Sequence, residues 1–150
     1  MRSSAGFVPS VVRVDLATRG RDDALLVLVR DLRAAGALGQ EDEPFRRLLE
    51  REAAASTALG GGIALPHART IHCHTPRLAV ARLAPALEFG ATDGIPVDLV
   101  FLLLGPPEAP GEHVRLLSRI AKLAQREGVL AELRGARDEA EFRGILGREL

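Results

Sequence analysis

Between Val97 and Leu104 the chain carries one polar side chain, Asp98, in a run of eight residues. In an extended segment successive side chains point to opposite faces, so a stretch this apolar must be covered on both. It is far too short to cross a bilayer. The run therefore reads as a strand inside a sheet, and a sheet with two apolar faces needs helices on both sides. Gly94 and Pro96 punctuate its start; Gly105, Pro106 and Pro107 end it.

The rest of the chain supplies those layers. Val8 to Leu16, with Val11, Val12, Val14 and Leu16, reads as an early strand. Arg21 to Ala35 has helical spacing, with Leu25, Leu28, Leu32 and Ala35 on one face, acidic Asp22 and Asp23 in its first turn, and Gly36 where a C-terminal cap belongs. A second helix opens near Pro44 and presents Phe45, Leu48 and Leu49. Ile63 to Leu65 is a short apolar stretch stopped by Pro66, and Leu78 to Leu83 alternates as a strand does, with Arg77 and Arg82 between its apolar residues. Helical periodicity returns from Gly111 to Arg126, then in Val129 to Arg134 and Asp138 to Leu146. The expected architecture is a single α/β domain over residues 1–150, with a central mixed β-sheet flanked by helices.

Composition narrows the function. Lys plus Arg and Asp plus Glu number 20 each, so no global field recruits nucleic acid or anionic lipid. Aromatic residues are 3% of the chain, too few to stack bases or sugars on rings. A single cysteine, Cys73, forms no intrachain disulfide and needs no oxidising compartment. Met1 to Val14 lacks the apolar core of a leader peptide, which makes the cytoplasm the expected location without membrane insertion.

The chemistry concentrates in Thr57 to Arg69, T-A-L-G-G-G-I-A-L-P-H-A-R. Gly60, Gly61 and Gly62 allow backbone conformations closed to other residues and let main-chain N–H groups approach an anion. Pro66 biases Leu65 toward an extended conformation and delivers His67 from the end of a short strand beside the glycine turn. A neutral imidazole is a nucleophile toward phosphorus, and guanidinium groups such as Arg51 and Arg69 stabilise a transferring phosphoryl group. No G-K-[ST] follows the glycines, so this is not a nucleotide-binding loop. Taken alone, a glycine turn with one histidine is as compatible with a purely structural turn.

The pattern Thr57-x-x-Gly60-x-Gly62-Ile63-Ala64-Leu65-Pro66-His67-Ala68-Arg69 resembles the active-site signature of the mannitol/fructose-type enzyme IIA domains of the phosphotransferase system, a group that includes the nitrogen-regulatory IIA proteins. Arg51-Glu52, the block from Phe89 to Leu104, and Gly111-Glu112-His113 followed by Leu116-Leu117 resemble further blocks of that family, in the same order. Sixteen residues lead from Arg51 to His67 and 46 from His67 to His113. The resemblance implies that His67 accepts a phosphoryl group from an HPr-like donor protein. It passes the group to a IIB domain or uses it as a regulatory state toward a target protein. It implies that His113 is a second imidazole beside His67 and that Arg51 supplies charge. Thr57 and Gly60 to Gly62 would shape the phosphoryl pocket with Arg69, and no cofactor or metal is implied.

Other readings stand beside these. His113 reads equally as a helix-surface histidine, Arg51 as the partner of Glu50 or Glu52, and Arg69 as a solvated side chain. Val114 stands where the family commonly has Leu, a change expected to matter in helix packing. His72-Cys73-His74 is unusual after such a motif. It suggests a free surface thiol or, with His67 or His113, the ligands of a metal-dependent hydrolase, although no C-x-x-C or H-E-x-x-H is present.

Overall fold

The computed structural model describes residues 7–150; residues 1–6, the opening of the Met1 to Val14 stretch, lie outside them. The sheet comprises β1 (Val11–Leu16), β2 (Ala58–Gly60), β3 (Ile63–Ala64), β4 (His67–Arg69), β5 (Arg77–Leu87) and β6 (Val97–Gly105). The helices are α1 (Arg21–Ala34), α2 (Asp42–Ala54), α3 (Pro110–Leu123), α4 (Glu127–Gly135) and α5 (Glu139–Glu149).

The apolar run is the spine of the molecule. β6 pairs antiparallel with β5 on one side and parallel with β3 and then β4 on the other. β1 extends the sheet parallel to β5, and β2 lies antiparallel to β3, so the sheet is mixed as expected. Side chains of β6 alternate between two cores. Val97, Val100, Leu102 and Leu104 join α1 and α2 on one face. Leu99 and Phe101 join α3, α4 and α5 on the other. Every β6 residue is buried except Asp98, which is half-buried and takes both Nε and Nη2 of Arg134 at 2.9 and 2.8 Å.

A strand arginine, Arg82 on β5, has an unexpected place. Arg82 sits inside, with its Nη1 donating to the carbonyls of Leu133, Arg134 and Ala136 at 2.8–3.1 Å. A cation at the C-terminus of α4 is favoured by the helix dipole and satisfies carbonyls that have no partner within the helix. Its Nε reaches Asp15 on β1 at 3.0 Å.

Element boundaries moved where local chemistry overrode pattern. β1 begins three residues later than Val8, and β5 runs on through an exposed Ala84-Pro85-Ala86 segment where the alternation is lost. α2 begins two residues before Pro44, which still lies in the first turn. Gly36 does end α1: its φ is +79°, its N–H donates to Arg33 O, and Ala37 N–H donates to Leu32 O, a paired closure of the last turn.

Candidate active site

β3 and β4 occupy the same edge of β6, separated by Leu65-Pro66. Ile63 and Ala64 sit opposite Leu99 and Val100; His67 to Arg69 sit opposite Leu103 to Gly105. Pro66 has no N–H to give a ladder, but its carbonyl accepts from Leu103 N–H at 2.9 Å. The outer edge of β4 pairs with no strand among the described residues. Ala68 points into the core shared with α1 and α2, so His67 and Arg69, one residue to either side, point the other way.

Two helices reach this edge from opposite faces of the sheet. An open depression of about 560 Å³ lies between them. Arg47, Glu50 and Arg51 from α2 line one side, and His113, Val114 and Leu117 from α3 line the other, with His67 and Arg69 between. The ring centroids of His67 and His113 are 6.0 Å apart, with planes inclined at 50°.

His67 is half-buried, and its Nδ1 lies 2.8 Å from the carbonyl of Leu65. A carbonyl oxygen only accepts, so Nδ1 carries a proton, and in the neutral ring Nε2 carries the free lone pair. The backbone two residues earlier thereby sets which ring nitrogen faces the depression without a proton in the neutral ring. His113 is buried in the first turn of α3, with Nδ1 turned toward Gly105; a β-carbon at that glycine would lie 2.9 Å from it. Burial, reinforced by the charges of His67 and Arg69, holds His113 below the ordinary imidazole range. It is neutral at pH 7. The helix-surface reading of His113 is set aside by this burial.

Arg51 Nη1 donates to the carbonyl of Ala55 at 2.9 Å, closing its own helix, and forms no ion pair with Glu50 or Glu52 among the described residues. Glu52 turns to the opposite side. It is 4% exposed, and its carboxylate accepts from both N–H and Oγ1–H of Thr57. Thr57 is thus a brace between the end of α2 and β2, and it does not line the depression.

The glycine turn is placed elsewhere too. Gly62 O accepts from Asp98 N and Leu99 N, four residues back along β6 from the partner of His67, which is about 13 Å at strand rise. Gly61 N–H donates to Asp93 Oδ2 at 2.9 Å and Gly61 O accepts from Arg134 at 2.7 Å, so that amide already has an acceptor. All three glycines have positive φ, and at Gly62 a β-carbon would meet Arg134 Nη2 at 2.8 Å. The glycines are required by the fit of the turn against Asp98 and Arg134. Nearness in sequence to His67 had suggested a phosphate cradle; the intervening strand carries the turn away.

Three further expectations change. Cys73 is buried, 2% exposed, and desolvation pushes its thiol up to about 11, so it is not a surface thiol. His72 is half-buried and His74 exposed, and neither lines the depression. Val114 is 63% exposed and forms part of the rim, so its difference from Leu alters a surface and not helix packing. Sequence reasoning missed Arg47 and named Glu50 only as an ion-pair partner of Arg51. Arg47 stands four residues before Arg51, a spacing that places both on one helix face.

Residues 7–148 match the family described as "Phosphoenolpyruvate-dependent sugar phosphotransferase system, EIIA 2". A nitrogen regulatory protein of Bradyrhizobium diazoefficiens is 35% identical over 139 residues, 92% of this chain and 90% of that protein. One of Pseudomonas aeruginosa is 46% identical over 92 residues, 61% of this chain and three fifths of the length of that relative. The crystal structure of nitrogen regulatory protein IIA-Ntr from Neisseria meningitidis superposes with a TM-score of 0.84 at 30% identity, covering 91% of this chain and 93% of that one.

Proposed function

The chain belongs to the EIIA 2 family of the phosphoenolpyruvate-dependent sugar phosphotransferase system, and on that premise we propose that it is a cytoplasmic histidine phosphocarrier. It takes a phosphoryl group onto Nε2 of His67 from an HPr-like protein. It then yields the group to a IIB domain or holds it as a signal toward a target protein. The observation that carries this reading is the Nδ1 contact of His67 with Leu65 O, which in the neutral ring puts the lone pair on Nε2 in an open depression.

In the transfer, the Nε2 lone pair attacks phosphorus as the P–N bond to the donor breaks. That electron pair returns to the donor's imidazole, while the Nδ1 proton of His67 stays on its hydrogen bond to Leu65. Developing positive charge on the ring is stabilised by that carbonyl. His113 is neutral, with Nδ1 buried against Gly105 and without a hydrogen-bond partner among the described residues. Its proton then resides on Nε2, where it donates to a phosphoryl oxygen. Arg51 and Arg69 balance the charge of the phosphoryl group. The shallow site suits transfer between two proteins, which requires donor and acceptor atoms to meet in line. Both of these relatives are named for nitrogen regulation, which suits the regulatory output.

The test is incubation with phosphoenolpyruvate, enzyme I and HPr, followed by intact mass measurement. The expected result is the gain of one phosphoryl group, labile in acid and stable in alkali, and absent in His67→Ala. A gain that persists in that variant refutes the assignment.

A further inference from the structure

Three arginines and one carboxylate line the depression, and one of the arginines has a purpose-built support. Arg47 Nε donates to Glu43 Oε2 at 2.8 Å. The other oxygen of that carboxylate, Oε1, accepts from Thr70 Oγ1 at 2.6 Å. Thr70 is 1% exposed, and its own N–H donates to Gly105 O at 2.9 Å, extending the β4–β6 ladder by one residue. The segment that presents His67 therefore also fixes, three residues later, the carboxylate that aims Arg47.

An ordinary i,i+4 pair on a helix surface contributes little and needs no such anchor. Here the carboxylate is held from both sides. Burial raises the Glu43 pKa, but the hydrogen bonds from Thr70 and Arg47 outweigh it and keep the group ionised below the usual range. Engaging Nε fixes the guanidinium plane and leaves the two terminal nitrogens without a hydrogen bond among the described residues. Nη1 lies 4.0 Å from Glu50, too far for a hydrogen bond. The side chain is 54% exposed, so those donors are open to an incoming ligand.

We propose that Arg47 is a second phosphoryl-binding guanidinium of this site, acting beside Arg51 on the group carried by His67, and that Glu43 and Thr70 are its positioning residues. The proposal rests on the phosphocarrier reading and adds to it the residue that holds the product. A dianionic phosphoryl group on Nε2 meets a fork of N–H donors already oriented, so little rotamer freedom is lost on binding it.

The experiment phosphorylates the full-length wild type, Arg47→Ala, Arg47→Lys and Glu43→Gln with phosphoenolpyruvate, enzyme I and HPr. It measures the equilibrium of phosphate between HPr and each protein, and follows the phosphohistidine by ³¹P NMR against pH. R47A is expected to shift the equilibrium toward HPr by about tenfold, the scale of one charge-assisted hydrogen bond, and to raise the second ionisation of the phosphoryl group. R47K should fall between, keeping charge without the fork. E43Q should shift both readouts in the direction of R47A by less, which a merely structural loss would not do. R47A and wild type with the same equilibrium and the same ³¹P titration would overturn the role of Arg47 while leaving His67 as acceptor. A wild-type chain that takes no phosphoryl group on His67 would overturn both readings.

Discussion

His67 and His113 belong to different layers of the fold, yet their rings face each other 6.0 Å apart at the open edge of the sheet. One ring is tied by Nδ1 to its own backbone; the other is buried, neutral and turned by Gly105. The asymmetry assigns them different work, and the predictions below probe each side of it.

Replacing His113 by Ala should leave the fold intact and slow phosphoryl transfer to His67 on the order of 10²-fold, the loss from one well-placed transition-state hydrogen bond. The measurement is the single-turnover rate from phosphorylated HPr, with circular dichroism as the control. An unchanged rate would remove His113 from the mechanism.

Gly105→Ala should act through His113. The added methyl would sit 2.9 Å from Nδ1 and 3.6 Å from Cε1, so the ring must move. Transfer is expected to fall toward the His113→Ala level, and G105A combined with H113A to be no slower than H113A alone, because both changes remove one interaction. Additive losses would show that Gly105 matters for another reason.

The lowered pKa of His113 has a stability consequence. Its folded-state pKa lies below the unfolded value, so the unfolded chain binds the extra proton more readily. The contribution is fully present above about pH 6.5 and is lost as pH falls from there through the lowered folded value. Urea unfolding of wild type should therefore lose stability more steeply than His113→Gln across that window. Parallel curves would show that burial of His113 carries no such penalty.

Glu52 and Thr57 should behave as a coupled pair distant from the chemistry. Glu52→Ala leaves two buried Thr57 donors without their acceptor, at a cost of roughly 2–3 kcal/mol. A double-mutant cycle with Thr57→Val should give a coupling of about 1–3 kcal/mol. Phosphorylated fraction at equilibrium should change little in T57V, since Thr57 does not line the depression. A large drop there would return Thr57 to the phosphoryl site.

Much of this was legible in the chain, because it rests on local rules. Val97 to Leu104 could only be an interior strand, and the Gly36 closure of α1 follows from a glycine after an amphipathic stretch. His67, Arg51 and His113 were found as blocks in a fixed order, and the structure places all three in one depression. The glycine turn misled because closeness in sequence is not closeness in space once a strand intervenes. Arg47 was missed because an arginine paired i,i+4 with a glutamate looks like any solvated helix face. Its support comes from Thr70, 27 residues from Glu43, and no helical periodicity reports such a contact. Arg82 looked like an outward strand residue because three backbone carbonyls that would receive it are invisible to side-chain pattern.

The placement of one imidazole on a strand backed by α2 and of the other on a helix of the opposite face has one more consequence. His67 is held by an edge strand whose flank packs with α2, and His113 rides on α3, which is seated in the other core. The gap between the rings is therefore a gauge spanning both layers. A cavity opened in either core, at Leu48 or at Ile120, is expected to shift one helix relative to the sheet and so to change the gap at the edge. On the phosphocarrier reading, the rate of phosphoryl transfer would then report on interior packing as well as on the site itself.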